Sequence, residues 1–393
     1  MNTDFLQNEL DAWRDQGLYR ALRCVEGDQG PTLLLDGQEV INFSSNNYLG
    51  LANHPKLAAA AMMAIERYGC GSGASRLISG NMTLHEELEA RLAQFKNTDA
   101  ALVFNSGFQA NVGILSTLAG EGDVIVSDSL NHASIIDGCR LSKAKTLVYS
   151  HGDLDALETA LKQAASARRR LIVTETIFSM DGDEAPLKDI VELAEKYHAM
   201  LMVDEAHGTG VFGANGAGVV AKLGLTSRVA VQMGTLGKAL GGFGAYVAGS
   251  RALRDLLINR CRSFIFTTSL PPAVMAMALA AIDLVQTEPQ RRDALQQNCQ
   301  KLKLGLRRLG FELGKSESPI LPLIVGDATR CMGLSAALLQ RGVFAQGIRP
   351  PTVPLGTSRL RITVMATHSD EQIDRAVNVF EEVKSEWPPT TTS

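Results

Sequence analysis

Lys238 is the residue with the clearest potential for covalent chemistry. It lies among four glycines in GTLGKALGG, residues 234–242, directly after the apolar segment VAVQM. A lysine in such a loop is a solvated surface residue, a phosphate ligand or an amine that forms a covalent bond. A free lysine amine has a pKa of about 10.4, so it must lose its proton before it acts as a nucleophile or a base. The residues elsewhere in the chain decide among these three interpretations.

Further reactive or ligand-binding groups follow the ends of several predicted strands. In FNSGFQAN, residues 106–108 lie between a strand and a helix, where free backbone amides and the helix dipole favour a phosphate. The side chains at the other strand ends are His132, Glu175, Ser179, Asp204, His207, Thr235 and Lys238. Each of these alone has a structural explanation. In a parallel sheet, however, the carboxyl ends of the strands meet at one edge, so the set predicts a common ligand.

Pyridoxal phosphate requires the groups that converge at this edge. A lysine forms a Schiff base with it, a carboxylate keeps its pyridine nitrogen protonated, and amides at a helix N-terminus bind its phosphate. The sequence therefore predicts pyridoxal 5′-phosphate as the cofactor, attached through Lys238. On this interpretation, the glycines around Lys238 let the backbone approach a flat cofactor.

An ATPase is the alternative from another functional class, because VDEAHG, residues 203–208, spells the DEAH box of helicases. Such an enzyme needs the phosphate-binding loop G-x-x-x-x-G-K-[ST]. Lys238 is followed by alanine, and GFELGKS at residues 310–316 is one residue too short and follows a predicted helix. A DEAH-type ATPase therefore remains a remote alternative.

The elements that position these residues indicate an α/β fold. Unbroken apolar segments such as ALVF, DVIVSD, RLIVTE and AMLMVDE alternate with helical patterns, which predicts a mostly parallel central sheet flanked by helices. Thr83 and Glu86 have the spacing of a helix N-terminal capping box. We expect an N-terminal arm at 1–45, with a helix and a hairpin turning at Asp36-Gly37. A large cofactor-binding domain would follow at 46–285, and a smaller C-terminal α+β domain at 286–393.

Composition excludes several other classes of function. The chain has 393 residues, 45% of them hydrophobic and 20% charged, and a net charge of −4, so it has no overall field to attract nucleic acid or anionic membranes. Its six cysteines are scattered without a CxxC pair, which indicates reduced thiols, a cytoplasmic location and no metal site. The N-terminal segment MNTDFLQNEL does not resemble a targeting signal. The most apolar run, PPAVMAMALAAIDLV, is too short to span a bilayer.

Seven segments resemble the α-oxoamine synthases, a family of fold-type I pyridoxal-phosphate enzymes. They extend in order from about residue 42 to about residue 368: NFSSNNYLGL, SGFQAN, LNHASIIDGCRLSKAK, FSMDGD, VDEAHGTG, GTLGKALGG and IRPPTVPLGTSRLRIT. The resemblance implies a fold-type I transferase that condenses an amino acid with an acyl-CoA and releases CO₂.

Two segments indicate which member of the family is closest. FSSNNYLGL and IRPPTVP are most similar to the member of the biotin pathway that joins L-alanine to a pimeloyl thioester. GTLGKALGG and NHASIIDGCRLSKAK are also similar to the member that makes 2-amino-3-oxobutyrate from glycine and acetyl-CoA. The second member is therefore the alternative. The acyl donor of the first is pimeloyl-CoA or pimeloyl-acyl carrier protein.

The resemblance also implies roles for individual residues. Lys238 would form the Schiff base, Asp204 would pair with the pyridinium nitrogen, and His207 would bond the ring hydroxyl. His132 would stack on the ring and donate to the thioester oxygen. The full set implied to bind cofactor within one subunit is Gly107, Phe108, His132, Glu175, Ser179, Asp204, His207, Thr235 and Lys238. The set implied to bind substrate is Arg20, Asn47, His132, Thr352 and Arg361.

Arg361 and Asn47 would together bind the amino-acid carboxylate, because a guanidinium forms bidentate contacts with such groups. In the family, the active site lies between two subunits. This implies a homodimer in which Thr267, Thr268 and Ser269 reach the partner's cofactor phosphate.

Overall fold

The computed structural model describes residues 3–387, and the polar tail PPTTTS at 388–393 lies outside the described part. The chain divides into two compact units. The larger unit is Asn46–Leu295, and the smaller one combines the residues up to Ser45 with those from Gln296 onward. The N-terminal arm therefore belongs to the same unit as the C-terminal part of the chain.

The helices occur in both units. In chain order they are α1 (Asp4–Asp15), α2 (Pro55–Tyr68), α3 (Thr83–Lys96), α4 (Gly107–Leu118), α5 (Ala133–Ser142), α6 (Leu154–Gln163), α7 (Leu187–Lys196), α8 (Val219–Lys222), α9 (Arg251–Arg260), α10 (Arg262–Ile265), α11 (Pro272–Thr287), α12 (Gln290–Arg308), α13 (Ala328–Gln340) and α14 (Asp370–Lys384). Within residues 3–387, no helix is both long enough and apolar enough to cross a membrane.

The strands are short, as the apolar segments predicted. In chain order they are β1 (Val25–Glu26), β2 (Thr32–Leu35), β3 (Gln38–Asn42), β4 (Ala100–Phe104), β5 (Val124–Asp128), β6 (Lys145–Tyr149), β7 (Arg170–Glu175), β8 (Met200–Asp204), β9 (Val231–Thr235), β10 (Ala245–Gly249), β11 (Ile320–Gly326), β12 (Val343–Phe344), β13 (Gln346–Ile348) and β14 (Ser358–Thr363).

The larger unit contains a seven-stranded sheet in the order β4-β10-β9-β8-β7-β5-β6. Only β10 is antiparallel to its neighbours, and the other strand pairs in the sheet are parallel. Every residue of β4, β5 and β9 is buried, as expected for strands covered on both faces. The prediction of an α/β fold with a mostly parallel sheet is confirmed. Strands β4, β5, β7, β8 and β9 all end at the same edge of the sheet, where the predicted site residues follow.

Helix α3 begins differently from the prediction. Thr83 is its first helical residue and not its cap. The Nδ1 atom of His85 accepts the backbone N–H of Met82 at 3.2 Å, so a histidine ring takes the capping role. Glu86 instead accepts a hydrogen bond from Asn81 at 2.9 Å. The expected Thr–Glu capping box is therefore wrong, because the helix starts one residue earlier than the spacing suggested.

The smaller unit contains two sheets. One has the order β1-β2-β3-β12, and the predicted hairpin at Asp36-Gly37 joins β2 to β3, with positive φ angles of 50° and 79° at the turn. The other is antiparallel, in the order β11-β14-β13. Leu302 of α12, Leu338 of α13 and Phe380 of α14 belong to one buried core with residues of these strands.

Candidate active site

Asp204 is the last residue of β8 and lies beside Glu175, the last residue of β7. Only 5% of it is exposed. One carboxylate oxygen accepts the Ala206 N–H at 2.8 Å, and the other accepts the side-chain amide of Asn111, also at 2.8 Å. Among the described residues, Asp204 has no ion-pair partner. A buried carboxylate without a cation is suited to a cationic ligand such as a protonated pyridine ring.

His207 lies three residues after Asp204, in the segment VDEAHGTG. Its Nδ1 atom is 2.7 Å from the Tyr48 hydroxyl, and both residues are buried. The Tyr48 contact fixes the orientation of the imidazole ring. The ring can therefore present its other nitrogen in a defined direction.

His132 is the N-cap residue of α5, after β5. Its Nδ1 atom lies 2.8 Å from the Ser134 hydroxyl and 3.2 Å from the Ser134 backbone nitrogen. His132 as a residue is exposed, but partial desolvation of its ring lowers its pKa; the charge of Asp204 acts in the opposite direction, and Lys238 lowers the pKa further. The structure thus favours a neutral imidazole.

Glu175 is almost completely buried, with 3% of its surface exposed. Burial raises its pKa well above the ordinary value, and the nearby Asp204 charge adds to that shift. The backbone N–H groups of His132 and Ser179 lie close enough to its carboxyl group to act in the opposite direction, although its Oε1 atom has no hydrogen-bond partner among the described residues. The surroundings of Glu175 therefore disfavour a second negative charge beside Asp204.

The first turn of α4 contains the residues that were predicted to bind a phosphate. The Ser106 hydroxyl caps the helix by accepting the Gln109 N–H at 3.2 Å. A Cβ atom at Gly107 would approach Thr235 Cγ2 to 2.9 Å, so only glycine fits beside Thr235. Phe108 is half exposed next to it. The free amides of this twelve-residue helix make its N-terminus suited to a phosphate.

Lys238 is half-buried, and its Nζ atom lies 3.5 Å from the Thr235 hydroxyl. The glycines around it pack against the protein itself. Gly241 has φ of 64°, and a Cβ atom there would be 2.5 Å from the Ala52 nitrogen. A Cβ atom at Gly234 would be 2.5 Å from the Tyr246 hydroxyl. Gly234 and Gly241 thus serve close packing of the loop, and the expectation that the glycines let the backbone approach a cofactor stays a prediction.

Asn47 and the segment 267–269 also belong to the larger unit. The Asn47 Oδ1 atom accepts the N–H groups of Leu51 and Ala52 at 2.9 and 3.1 Å, so this oxygen holds a turn. The Ser269 hydroxyl donates to the Gly80 carbonyl at 2.7 Å within the same chain. Asn105 donates to the Thr268 carbonyl at 2.8 Å and to the Thr267 hydroxyl at 3.3 Å. The binding roles of these residues remain predictions.

The smaller unit holds Arg20, Thr352 and Arg361. The Arg20 guanidinium donates to the Thr352 hydroxyl at 3.3 Å, and both residues line a cavity of about 630 Å³ within that unit. Arg361 lies on β14, between Pro322 of β11 and Gln346 of β13, and is 8% exposed. The roles of all three in substrate binding remain predictions.

A buried ion pair next to the site was not predicted. The Lys96 ammonium group bonds to the Glu205 carboxylate and to the Ala217 carbonyl, and the side chains of Lys96 and Glu205 are 0% exposed. The other Glu205 oxygen accepts the Val220 N–H at 2.9 Å. Burial opposes the charge of Lys96, but Glu205 outweighs it and raises the pKa of Lys96.

His151 forms a second charged contact that was not predicted. Its Nδ1 atom lies 3.0 Å from Asp128, and its Nε2 atom lies 2.8 Å from Asp183. Hydrogen bonds to Asp128 and Asp183 raise the pKa of His151 to about 10. The cationic ring thus links the end of β5, which precedes His132, to the loop that carries Ser179.

The comparisons with known proteins identify the family. The sequence model of aminotransferase class I and II matches residues 38–380. An 8-amino-7-oxononanoate synthase from Symbiobacterium thermophilum is 54% identical over 385 residues, which covers 98% of this chain and 98% of that protein. The chain belongs to the 8-amino-7-oxononanoate synthase family. The predicted resemblance to the α-oxoamine synthases is thereby confirmed.

Solved structures support membership of this synthase family. The structure of 8-amino-7-oxononanoate synthase from Francisella tularensis has a TM-score of 0.76 and 31% identity, covering 88% of this chain and 99% of that one. A high-resolution structure of SPT with the PLP internal aldimine has a TM-score of 0.92 and 35% identity, covering 98% of this chain and 97% of that one. These neighbours confirm the fold-type I assignment.

Sequence reasoning missed three residues that contact the site of this synthase-family chain. Tyr48, Asn111 and Ser134 lie inside segments that carried the family resemblance, but they were not singled out. Asn111 offered a usable signal, because it is a polar residue within the otherwise apolar helix segment ANVGIL. Tyr48 and Ser134 offered none, since either residue type is common on a surface.

Proposed function

We propose that this protein condenses L-alanine with a pimeloyl thioester to give 8-amino-7-oxononanoate, CO₂ and the free thiol, a step of biotin biosynthesis. The observation that carries the proposal is 54% identity to a named synthase over 98% of both chains, in a molecule whose sheet edge holds Lys238, Asp204 and His132. The reaction with glycine and acetyl-CoA has no better support, and the DEAH-type ATPase has none.

The cofactor is pyridoxal 5′-phosphate, as predicted, and the residues present fit it. Asp204 offers a buried carboxylate that lacks a cationic partner among residues 3–387. The N-terminus of α4 at Gly107 offers free amides for a phosphate. Lys238 lies next to Thr235 and would hold the cofactor covalently, while His207 would bond the ring hydroxyl.

The chemistry divides among these residues as follows. When bound, pyridoxal phosphate supplies an electron sink for the Cα atom of an attached amino acid. Asp204 would keep a proton on the pyridine nitrogen, which makes the sink effective. Lys238 would take the proton from the alanine Cα and return one to the same carbon after CO₂ leaves. His132 would donate a hydrogen bond to the thioester oxygen, where negative charge develops.

The roles proposed for the substrate-binding residues come from the family resemblance. Arg361 and Asn47 would hold the alanine carboxylate, with Asn47 using its amide nitrogen because its oxygen already holds a turn. Arg20 and Thr352, which contact each other beside the cavity in the smaller unit, would meet the acyl substrate. An apolar pocket separates a methyl group from hydrogen by only about 1–3 kcal/mol, so selection of alanine over glycine is expected to be incomplete.

The experiment that tests this function measures thiol release and product mass for three substrate pairs. These are L-alanine with pimeloyl-CoA, L-alanine with pimeloyl-acyl carrier protein, and glycine with acetyl-CoA. We expect turnover with a pimeloyl donor and a product of the mass of 8-amino-7-oxononanoate. The two pimeloyl pairs decide which carrier delivers the acyl group.

The matched control is the Lys238→Ala variant, which should lose both turnover and the visible absorbance of the cofactor. Turnover with glycine and acetyl-CoA alone would overturn the substrate assignment and keep the cofactor. A purified protein that takes up no pyridoxal phosphate would overturn the whole proposal.

We further propose that the protein is a homodimer whose partner segment 267–269 completes each site. Large apolar side chains near the site support this, because Phe243 and Phe266 are 56% and 71% exposed in the single chain. The test mixes the Lys238→Ala variant with a Thr268→Lys variant, each inactive by expectation. Restored activity in the mixture supports shared sites, whereas a monomer in light scattering contradicts them.

A further inference from the structure

A chain of hydrogen bonds connects Asp204 to His132 through Asn111 and Ser134. The Asn111 amide nitrogen donates to Asp204 Oδ2 at 2.8 Å and to the Ser134 hydroxyl at 2.9 Å. A carboxylate only accepts hydrogen bonds, so the nitrogen of this buried amide must face Asp204. Both of its hydrogens are thereby used. The Asn111 Oδ1 atom has no hydrogen-bond partner among the described residues.

The Ser134 hydroxyl receives one of those hydrogens, so its own hydrogen is available for another acceptor. The acceptor within reach is His132 Nδ1, at 2.8 Å. The backbone N–H of Ser134 points at the same atom from 3.2 Å, as part of the cap of α5. Two donors directed at one ring nitrogen require a lone pair there. In a neutral imidazole, the proton must then be on Nε2.

The charges that face His132 agree with a neutral ring. Partial desolvation of the ring disfavours a positive charge, and the nearby Lys238 has the same effect. Asp204 favours protonation, but it already accepts hydrogen bonds from Ala206 and Asn111. Burial and the Asp204 charge raise the pKa of Glu175, which disfavours a further negative charge near His132. A proton on Nδ1 would also face the hydrogens of the Ser134 hydroxyl and of the Ser134 backbone N–H.

We propose that Ser134 and Asn111 are positioning residues that fix His132 as the neutral Nε2–H tautomer, so that His132 offers the site a hydrogen-bond donor and never a base. The consequence for the proposed function is a division of labour: proton removal at the amino-acid Cα falls to Lys238 alone. The catalytic part of this inference rests on the proposed function, whereas the tautomer does not.

The direct test is nitrogen NMR of histidine-labelled protein, with the His132 signals assigned from the His132→Asn variant. We expect an unprotonated Nδ1 and a protonated Nε2 from about pH 6 to about pH 8, in the cofactor-free protein and in the holoenzyme. A protonated Nδ1, or a ring that titrates above about pH 7, would overturn the proposal. Because this readout needs no turnover, it holds even if the substrate assignment fails.

The Ser134→Ala variant removes the hydroxyl donor, and Ser134→Thr restores it. We expect Ser134→Ala to give a mixture of tautomers and about tenfold lower kcat, with KM for alanine and cofactor affinity nearly unchanged. The acid limb of its kcat–pH profile should move to higher pH, and Ser134→Thr should restore both the tautomer and the profile.

The matched control is Ser116→Ala, a serine of α4 whose hydroxyl bonds only to backbone carbonyls. It should leave the His132 signals and the pH profile unchanged. A Ser134→Ala protein with the wild-type tautomer and profile would contradict the positioning role. If that variant fails to fold, the wild-type spectrum still decides the tautomer.

Discussion

Asp204 and Glu205 are adjacent carboxylates with opposite surroundings. Asp204 accepts hydrogen bonds from two neutral N–H groups, from Ala206 and Asn111, and has no cationic partner among residues 3–387. Glu205 is fully buried and is paired with Lys96. One carboxylate therefore keeps an unbalanced charge at the edge of the sheet, and the other has its charge balanced inside the protein.

The two adjacent residues therefore serve different purposes: Asp204 is suited to ligand binding, and Glu205 contributes to the stability of the fold. A buried charge without its partner is costly, so an unbalanced carboxylate is retained where a cationic ligand compensates it. The Lys96–Glu205 pair instead connects α3 to the loop that follows Asp204. We therefore expect changes at Asp204 to affect activity, and changes at Glu205 or Lys96 to affect folding.

The largest effect is expected from Asp204→Asn. The substitution keeps the shape of the side chain but removes the charge that would hold a proton on the pyridine nitrogen. We expect kcat/KM to fall by about three orders of magnitude, or about 4 kcal/mol, as for other groups that stabilise developing charge. The free energy of unfolding should change by no more than about 1.5 kcal/mol. Steady-state kinetics and urea unfolding check the two values.

The matched control at the neighbouring position is Glu205→Gln, which also removes one charge and keeps the shape. It should lower stability more than Asp204→Asn does, and activity far less. An Asp204→Asn protein that keeps a tenth or more of the wild-type activity would contradict the catalytic importance of the Asp204 charge.

Lys96→Met should lower the free energy of unfolding by about 3–4 kcal/mol, because it leaves Glu205 as an unpaired buried charge. The double variant Lys96→Met/Glu205→Gln should recover part of this loss, since the remaining group is neutral and still accepts the Val220 N–H. Chemical unfolding of the four proteins in the cycle gives the coupling energy. Additive effects of the two changes would show that the ion pair has no energetic importance.

His151→Gln should cost about 2 kcal/mol at neutral pH, because it replaces a cation that bonds two aspartates but is a quarter exposed. The pKa of His151 is raised to about 10, so its stabilising effect is complete below about pH 6.5 and is lost as the pH rises towards 10. The difference in unfolding free energy between wild type and variant should therefore shrink from pH 6.5 to pH 10. A difference that does not depend on pH would contradict the cationic state.

The smallest effect concerns His85, which shares α3 with Lys96 but stays neutral. Burial lowers the pKa of His85 to about 4, and its partners are backbone groups of Met82 and Leu270. Its contribution to stability is therefore present above pH 6.5 and is lost as the pH falls towards 4. Between pH 6.5 and pH 5, we expect His85 to account for about 1.5 kcal/mol of lost stability. Comparison with His85→Gln checks this value, and equal acid sensitivity of the two proteins would contradict it.

The strand-end residues were predictable because strands and helices differ in the period of their apolar residues. Unbroken apolar segments identified the parallel sheet, and the rule that ligands bind beyond the carboxyl ends of strands then pointed to His132, Asp204 and Lys238. The prediction of where α3 starts was wrong because tertiary contacts override the local spacing rule. His85, which replaces the expected cap, also bonds to the distant Leu270 carbonyl at 3.1 Å.

The charged pairs were not predictable, because their members are distant in sequence. Lys96 and Glu205 are 109 positions apart, and His151 is 32 positions from Asp183. No local pattern marks such partners. The tautomer of His132 likewise depends on Asn111, which belongs to a different helix. The close packing of Gly241 against Ala52 was not predictable either, because it is a tertiary contact.

The central claim is that Lys238, and not the nearby buried Lys96, holds the cofactor. The most direct measurement is borohydride reduction of the holoenzyme, followed by digestion and mass spectrometry of the lysine-containing peptides. The account predicts a pyridoxyl group on Lys238, with Lys96 unmodified because its amine is charged and bonded to Glu205. A pyridoxyl group on another lysine, or on none, would contradict the account.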